Sequence, residues 1–139
     1  MRTLRHVEGI TYWVLNEPKE IRGLINSNIR QEWERDNLTD GVDSAADDWL
    51  LTLPKRVWRL GILDINRITL DPSMMSRESF VKELDERSNE MRRSISEYHI
   101  VIWPLVLRGE DHRLKDGYCR FTTLKKMGIR RILAYVGRF

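Results

Sequence analysis

The stretch Leu114-Lys-Asp-Gly-Tyr-Cys-Arg-Phe-Thr-Thr-Leu-Lys-Lys-Met-Gly128 decides how the chain is read. Arg113 to Lys115 reads as a short strand and Gly117 as part of a turn. Cys119 to Met127 reads as a helix, with Gly128 at the C′ position where a left-handed residue closes a helix. A strand, a glycine turn and a helix start aim free backbone N–H groups and the positive helix end at whatever lies above them. Arg120 adds a fork of donors suited to phosphate oxygens. The segment therefore reads as an anion cradle, although a glycine turn before a helix with a surface arginine is also an ordinary connection.

On the upstream side, Ile100-Val-Ile-Trp-Pro-Leu-Val-Leu107 is apolar and β-branched, and Pro104 inside it implies an edge strand or a bulge. Gly109 to Asp111 supplies the turn into the Arg113 strand. Ser76 has the chemistry of an N-cap for a helix carrying Phe80, Val81, Leu84, Met91 and Ile95 on one side. Trp58 to Asp64 and Ile68 to Leu70, before Asp71-Pro72, read as strand pieces, and Ile129 to Val136 as a closing strand. Residues 56–139 thus form a small α+β domain of mixed sheet and helices.

The first 55 residues follow a different period. From Pro18, the apolar positions Ile21, Leu24, Ile25, Ile29 and Trp33 recur at helical spacing to about Arg35. After Asn37 to Gly41, a second stripe runs through Val42, Ala45, Ala46, Trp49, Leu50 and Leu53 until Pro54 ends it. A short strand at Ile10 to Leu15 precedes both. Residues 1–55 are expected to be a helical extension, a lid over the site or a homodimer face.

At 139 residues the chain fits one domain, and 41% hydrophobic with 32% charged residues excludes a disordered or membrane-spanning composition. No apolar run nears the roughly 18 to 20 residues that span a bilayer, and the N-terminus lacks a secretory signal, so no membrane partner and a cytoplasmic location are expected. The single cysteine, Cys119, excludes an intrachain disulfide and a multi-cysteine zinc site, and the three histidines lack metal-ligand spacing, so no metal-ligand set is expected. Charge is unevenly spread. From Arg108 to Phe139 there are nine Lys/Arg against three acids, a local +6, so the preceding residues sum to −3 of the overall +3. A basic C-terminal quarter suits a nucleotide phosphate, a nucleic-acid backbone or simply solvent. The five tryptophans, Trp13, Trp33, Trp49, Trp58 and Trp103, suit base stacking or a core.

From Arg59 onward the order of elements resembles the ParB/sulfiredoxin fold, the nucleotide-binding domain shared by partition ParB proteins, sulfiredoxins and free serine kinases. Gly61 to Pro72 resembles the opening strand and acidic-Pro loop, and Phe80 to Ile95 the helix before the central strand. Trp103-Pro-Leu-Val-Leu-Arg108 resembles the x-Pro-Ile-Val-Val-Arg strand, and Asp116-Gly-Tyr-Cys-Arg120 with Leu124 and Gly128 the Asp-Gly-x-x-Arg motif. The resemblance implies phosphate contacts from Gly117, Tyr118, Cys119 and Arg120; Arg108 and His112, on the basic loop, are further candidates for phosphate binding. It implies ATP or ADP as ligand, or CTP, with Mg²⁺.

Departures from each branch shape the expected function. The reactive cysteine of sulfiredoxins falls on Tyr118 here, so that chemistry is not expected of Cys119. The chain stops at Phe139 without the helix-turn-helix and dimerisation region of ParB, so a complete partition clamp is not expected. Nothing in the sequence assembles a two-metal nuclease, which ranks third. The kinase branch implies phosphate transfer to a small hydroxyl-bearing substrate, with Asp71 as base, one residue out of the family register, and Arg120 as clamp. Asp116 would cap the turn or help hold Mg²⁺. The alternative is a ParB-like nucleotide-binding switch acting with nucleic acid or a protein, nucleic acid being the less favoured partner. On either reading, Arg120→Ala is expected to spare the fold.

Overall fold

Strands β3 (Val57–Asp64), β6 (Arg131–Arg138), β4 (Leu105–Arg108) and β5 (Arg113–Asp116) lie side by side in that order in the computed structural model, which describes residues 1–29 and 49–139. β3 runs antiparallel to β6 from Val57↔Arg138 to Asp64↔Arg131, β4 runs parallel to β6, and β4 and β5 form a hairpin. Every residue from Ile132 to Gly137 is buried. A strand covered on both faces reads as a continuous apolar run rather than an alternating one, as Ile132 to Val136 does.

Each face of the sheet has its own core. On one, Leu105, Leu107, Leu114, Ile132 and Ala134 meet Ile95 of helix α4 (Glu78–Tyr98) and Phe121 and Leu124 of α5 (Tyr118–Lys126). The two helices are stapled by Lys126, whose ammonium donates to Asp85 Oδ1 at 2.7 Å, Ser88 Oγ at 2.8 Å and Asn89 Oδ1 at 3.1 Å. On the other face, Trp58, Val106 and Tyr135 meet Ile21 of α1 (Pro18–Leu24), Ile25 of the π-helical turn Ile25–Ile29, and Leu53 of the 3₁₀ turn Leu53–Lys55 that follows α2 (Trp49–Thr52). The Trp58 indole is fully buried and lies so close to Gly137 that a Cβ there would stand 2.7 Å from the ring.

The expected strand at Ile10 to Leu15 is the second arm of a hairpin, β1 (Thr3–Val7) and β2 (Ile10–Val14), joined by Glu8 and Gly9 at φ 50° and 81°. Two left-handed residues in a two-residue loop match the twist of the flanking strands. The Glu8 carboxylate accepts the N–H groups of Arg130 and Arg131 at 2.7 and 3.2 Å, pinning the turn to the start of β6. Ile10, Tyr12 and Val14 enter the α4–α5 core, and β2 lies beside Ile102 in parallel through Trp13 N–H to Ile102 O (3.0 Å) and Ile102 N–H to Thr11 O (3.1 Å). The N-terminal segment is therefore a hairpin followed by α1, not helices alone. The end of the Pro18 helix with Trp33, the Asn37 turn and the Val42, Ala45 and Ala46 positions lie outside the described residues.

Three local expectations are corrected. Pro104 does not mark an edge: β4 is central and begins at Leu105, so the missing N–H falls just before the ladder. A bulge is present, with Val106↔Asp116 followed by Leu107↔Leu114, which leaves Lys115 as the extra residue. Ile68 to Leu70 is not a strand but makes one bridge, Thr69↔Arg113. Ser76 ends the short helix α3 (Pro72–Met75) instead of capping α4, whose N-cap is Arg77 without a side-chain bond. Among the described residues no helix is long and apolar enough to cross a membrane.

Candidate functional site

β5 passes into α5 through Gly117 alone, at φ 109° and ψ 30°. L side chains rarely adopt this backbone, and the space is closed as well: a Cβ would stand 2.6 Å from Leu105 Cδ2 and 2.8 Å from Arg120 Nη2. The abrupt turn lets α5 start at once. Phe121 N–H closes the first helical bond on Gly117 O at 2.8 Å, so the N–H groups of Tyr118, Cys119 and Arg120 precede the intrahelical ladder and carry the positive end of the dipole. The Cys119 thiol is free and half-buried on this first turn.

Arg120 is not a free clamp. Its guanidinium folds back over Gly117, donating from Nη1 to the carbonyls of Trp103 (2.9 Å) and Pro104 (3.0 Å) and from Nη2 to Asp116 Oδ2 (2.8 Å). With 15% of the side chain exposed, these bonds tie the start of α5 to the start of β4. These bonds argue against the expectation that Arg120→Ala spares the fold. The same contacts explain the motif physically: glycine leaves room for the arginine three residues on, and the aspartate before the glycine anchors it.

Asp71 does reach this helix start. Its backbone N–H donates to Tyr118 Oη at 3.0 Å across 47 residues of chain, and Tyr118 packs edge-on against Phe80 with centroids 5.6 Å apart. Burial, with the Asp71 charge adding to it, raises the Tyr118 phenol above its usual range. The Asp71 carboxylate caps α3, Oδ1 accepting Ser73 N–H at 2.9 Å and Ser73 Oγ–H at 2.8 Å, which leaves Oδ2 unengaged among the described residues.

Arg108 and His112 form a separate group on the β4–β5 turn. Arg108 makes a two-pronged pair with Asp111, Nε to Oδ1 at 3.0 Å and Nη2 to Oδ2 at 2.6 Å. That hydrogen bond raises the Arg108 pKa and brings Asp111 down to about 2. His112 is left-handed at φ 55°, and its Nε2 lies 3.4 Å from Arg138 Nη2. The eight residues singled out from sequence or resemblance thus divide: Gly117, Tyr118, Cys119 and Asp71 surround the helix start, Asp116 and Arg120 pair beside it, and Arg108 and His112 face Asp111 and Arg138.

Beside the Asp116–Arg120 pair opens a cleft of about 430 Å³, walled by Met91 and the Ile100–Pro104 run, with Val106 and Tyr135 of the sheet and Leu24 of α1. It is apolar except at the Asp116 end, where Oδ1 has no partner among the described residues. A cavity of this size with one polar end suits the planar part of a small ligand. Lys115 was not singled out from sequence, because a lysine in a short strand reads as exposed. The bulge instead turns it inward to 4% exposure, and burial brings its ammonium down to about 8. Among the described residues no three His, Cys, Asp or Glu side chains converge as a metal-ligand set.

No protein-family model and no curated protein matches the chain. Similar solved structures include a pNOB8-like ParB N-domain, with TM-score 0.44, 23% identity, 60% of this chain and 29% of that chain covered, and the C2221 form of such a domain, with TM-score 0.45, 20% identity and 60% and 30% covered. This chain therefore spans less than a third of the length of either. The likeness is of fold alone, the ParB-like arrangement that the motif order from Arg59 led us to expect.

Proposed function

We propose that the chain is a nucleotide-binding module of ParB-like fold, holding phosphates on the first turn of α5 and the base in the adjoining cleft. The observation that supports this reading is the Gly117 turn: the N–H groups of Tyr118, Cys119 and Arg120 precede the intrahelical ladder, and Asp116 and Arg120 on either side of the turn line the apolar cavity. Arg120 serves by holding that geometry. The ligand class is a nucleoside di- or triphosphate, ATP, ADP or CTP. Mg²⁺ would travel with the phosphates, and Asp71 and Asp116 are the carboxylates with a free oxygen near the helix start. A module of this kind acts by changing its fit to a protein or nucleic-acid partner.

A second reading, phosphate transfer to a small hydroxyl-bearing substrate, is favoured by one contact: the Asp71 backbone N–H bonds the Tyr118 hydroxyl, which ties this acidic residue to the first residue of α5. As a base, Asp71 would use Oδ2, since Oδ1 is engaged by Ser73.

A thermal-shift series with ATP, ADP, CTP, GTP and the parent nucleosides, with and without Mg²⁺, tests binding, because a ligand selective for the folded state raises its melting temperature. Shifts that grow with phosphate number are expected; no shift with any nucleotide sinks the proposal. Mg²⁺-dependent loss of triphosphate that needs an added hydroxyl acceptor and disappears in Asp71→Asn would establish transfer. Binding without turnover would leave the module reading alone.

A further inference from the structure

The outer face of the N-terminal hairpin has no role in the site above. β1 and β2 pair so that Leu4 faces Trp13 and His6 faces Thr11, while Ile10, Tyr12 and Val14 point into the core. Side chains alternate along a strand, and Tyr12 and Ile102 are both buried at their bridge, so Trp13 and Trp103 emerge together on the opposite side. Both indoles are half-buried. The Arg2 guanidinium lies over the pair, 5.4 Å from the Trp13 ring centroid and 5.9 Å from that of Trp103. His6 Nδ1 is 2.9 Å from Thr11 Oγ1 on the same face, and Leu4 is 52% exposed. Arg2, Leu4, His6, Thr11, Trp13 and Trp103 thus make a flat ribbon of aromatic and apolar surface that carries a guanidinium and an imidazole but no carboxylate.

We infer that this ribbon binds single-stranded nucleic acid, whose bases stack on Trp13 and Trp103 while Arg2 meets the backbone. Such a strand is planar at its bases and anionic along its length, which matches two neighbouring indoles and a cation. A duplex keeps its base faces stacked on each other and offers nothing for the indoles. A proline-rich peptide would use the indoles and leave the guanidinium without an anion. Trp103 also lines the cleft beside the phosphate-facing turn, so the two surfaces meet at that residue, whereas Trp13 belongs to the ribbon alone.

The test is fluorescence anisotropy of labelled oligothymidylate and oligouridylate, about a dozen nucleotides long, a length within the usual site sizes. The full chain is used without added nucleotide. Binding is expected to weaken about tenfold in Trp13→Ala and again in Trp103→Ala, and to be largely kept in Trp103→Phe. Arg2→Ala should lower the salt dependence by roughly one counterion. The preference between the two oligonucleotides assigns DNA or RNA. Equal binding of a duplex, affinity unchanged in both Trp→Ala variants, or binding only of a proline-rich peptide would overturn the proposal, as would no binding at low salt. If Trp103→Ala does not fold, ultraviolet cross-linking of the unaltered chain decides: adducts at Trp13 or Trp103 support the inference, and adducts only elsewhere refute it. A chain that binds nucleotides but no oligonucleotide fails here alone, and the converse fails only the nucleotide proposal.

Discussion

A Cβ at position 117 would meet Leu105 and Arg120 at 2.6 and 2.8 Å on a backbone already at φ 109°. Gly117→Ala should therefore cost about 1 to 3 kcal/mol in backbone strain, with the displacement of Arg120 added to it, read as a lower urea midpoint at an unchanged slope. Arg120 supports a second expectation at this scale. Removing it strands two part-buried carbonyls and one oxygen of Asp116, so Arg120→Ala should destabilise by about 2 to 3 kcal/mol, charge-assisted bonds being the strong ones. Lysine cannot span three acceptors as a planar fork, so Arg120→Lys should recover little of the loss. A thermal melt within about 2 °C of the unaltered protein for Arg120→Ala would show that these bonds contribute little, since about 1 kcal/mol already moves a domain of this size by several degrees.

Between elements, the key tie is the Tyr135 hydroxyl, which accepts the Leu15 N–H at 2.9 Å in a buried setting. Tyr135→Phe leaves that donor unpaired at the join of β2 and α1, a cost of about 1 to 3 kcal/mol. Hydrogen exchange should quicken first around Leu15 and in α1, while β3 and β6 keep their protection; uniform loss would mean the join is not a local unit. What could be read ahead at this scale follows range. The β5–Gly117–α5 turn and the Gly128 close were legible because their determinants sit within a few residues. The strand Thr3–Val7 was missed because Thr3, Arg5 and His6 offer no apolar alternation, and the strand exists through its pairing with β2. Pro104 misled because the rule against central proline applies inside a ladder, and β4 starts one residue later. The role of Arg120 was hidden for a related reason: two of its acceptors are main-chain carbonyls 16 and 17 residues away, which have no signature in side-chain spacing.

For the whole molecule, the shifted groups define how stability depends on pH. On the acid side, Asp111 is held at about 2 by its Arg108 hydrogen bond, Glu110 is lowered by Arg56, and Glu8 is lowered by the Arg130 and Arg131 N–H groups. A carboxyl group depressed on folding stabilises above its unfolded pKa, and that contribution fades as pH falls through the folded value. The loss should therefore run from about pH 4.5 down to about 2. These groups are exposed enough that solvent and salt reduce each contribution, so added salt should shrink the acid limb. The alkaline side is set by buried groups of opposite effect. Lys115, brought to about 8 from 10.5, binds fewer protons folded than unfolded between those values, so stability should rise with pH across that window. A shift of that size in so buried a group is on the order of 3 kcal/mol. Above about pH 10 the tyrosines reverse the trend. Burial raises Tyr12 to about 12 and raises Tyr118 and Tyr135 as well, so unfolded phenols lose protons first and unfolding gains. Urea melts from pH 2 to 11 should show an acid loss, a plateau and a rise beginning near pH 8 that turns over near 10. Lys115→Met should erase the rise without touching the acid limb. A rise that persists in that variant would assign it to another group and leave Lys115 charged in the fold through neutral pH.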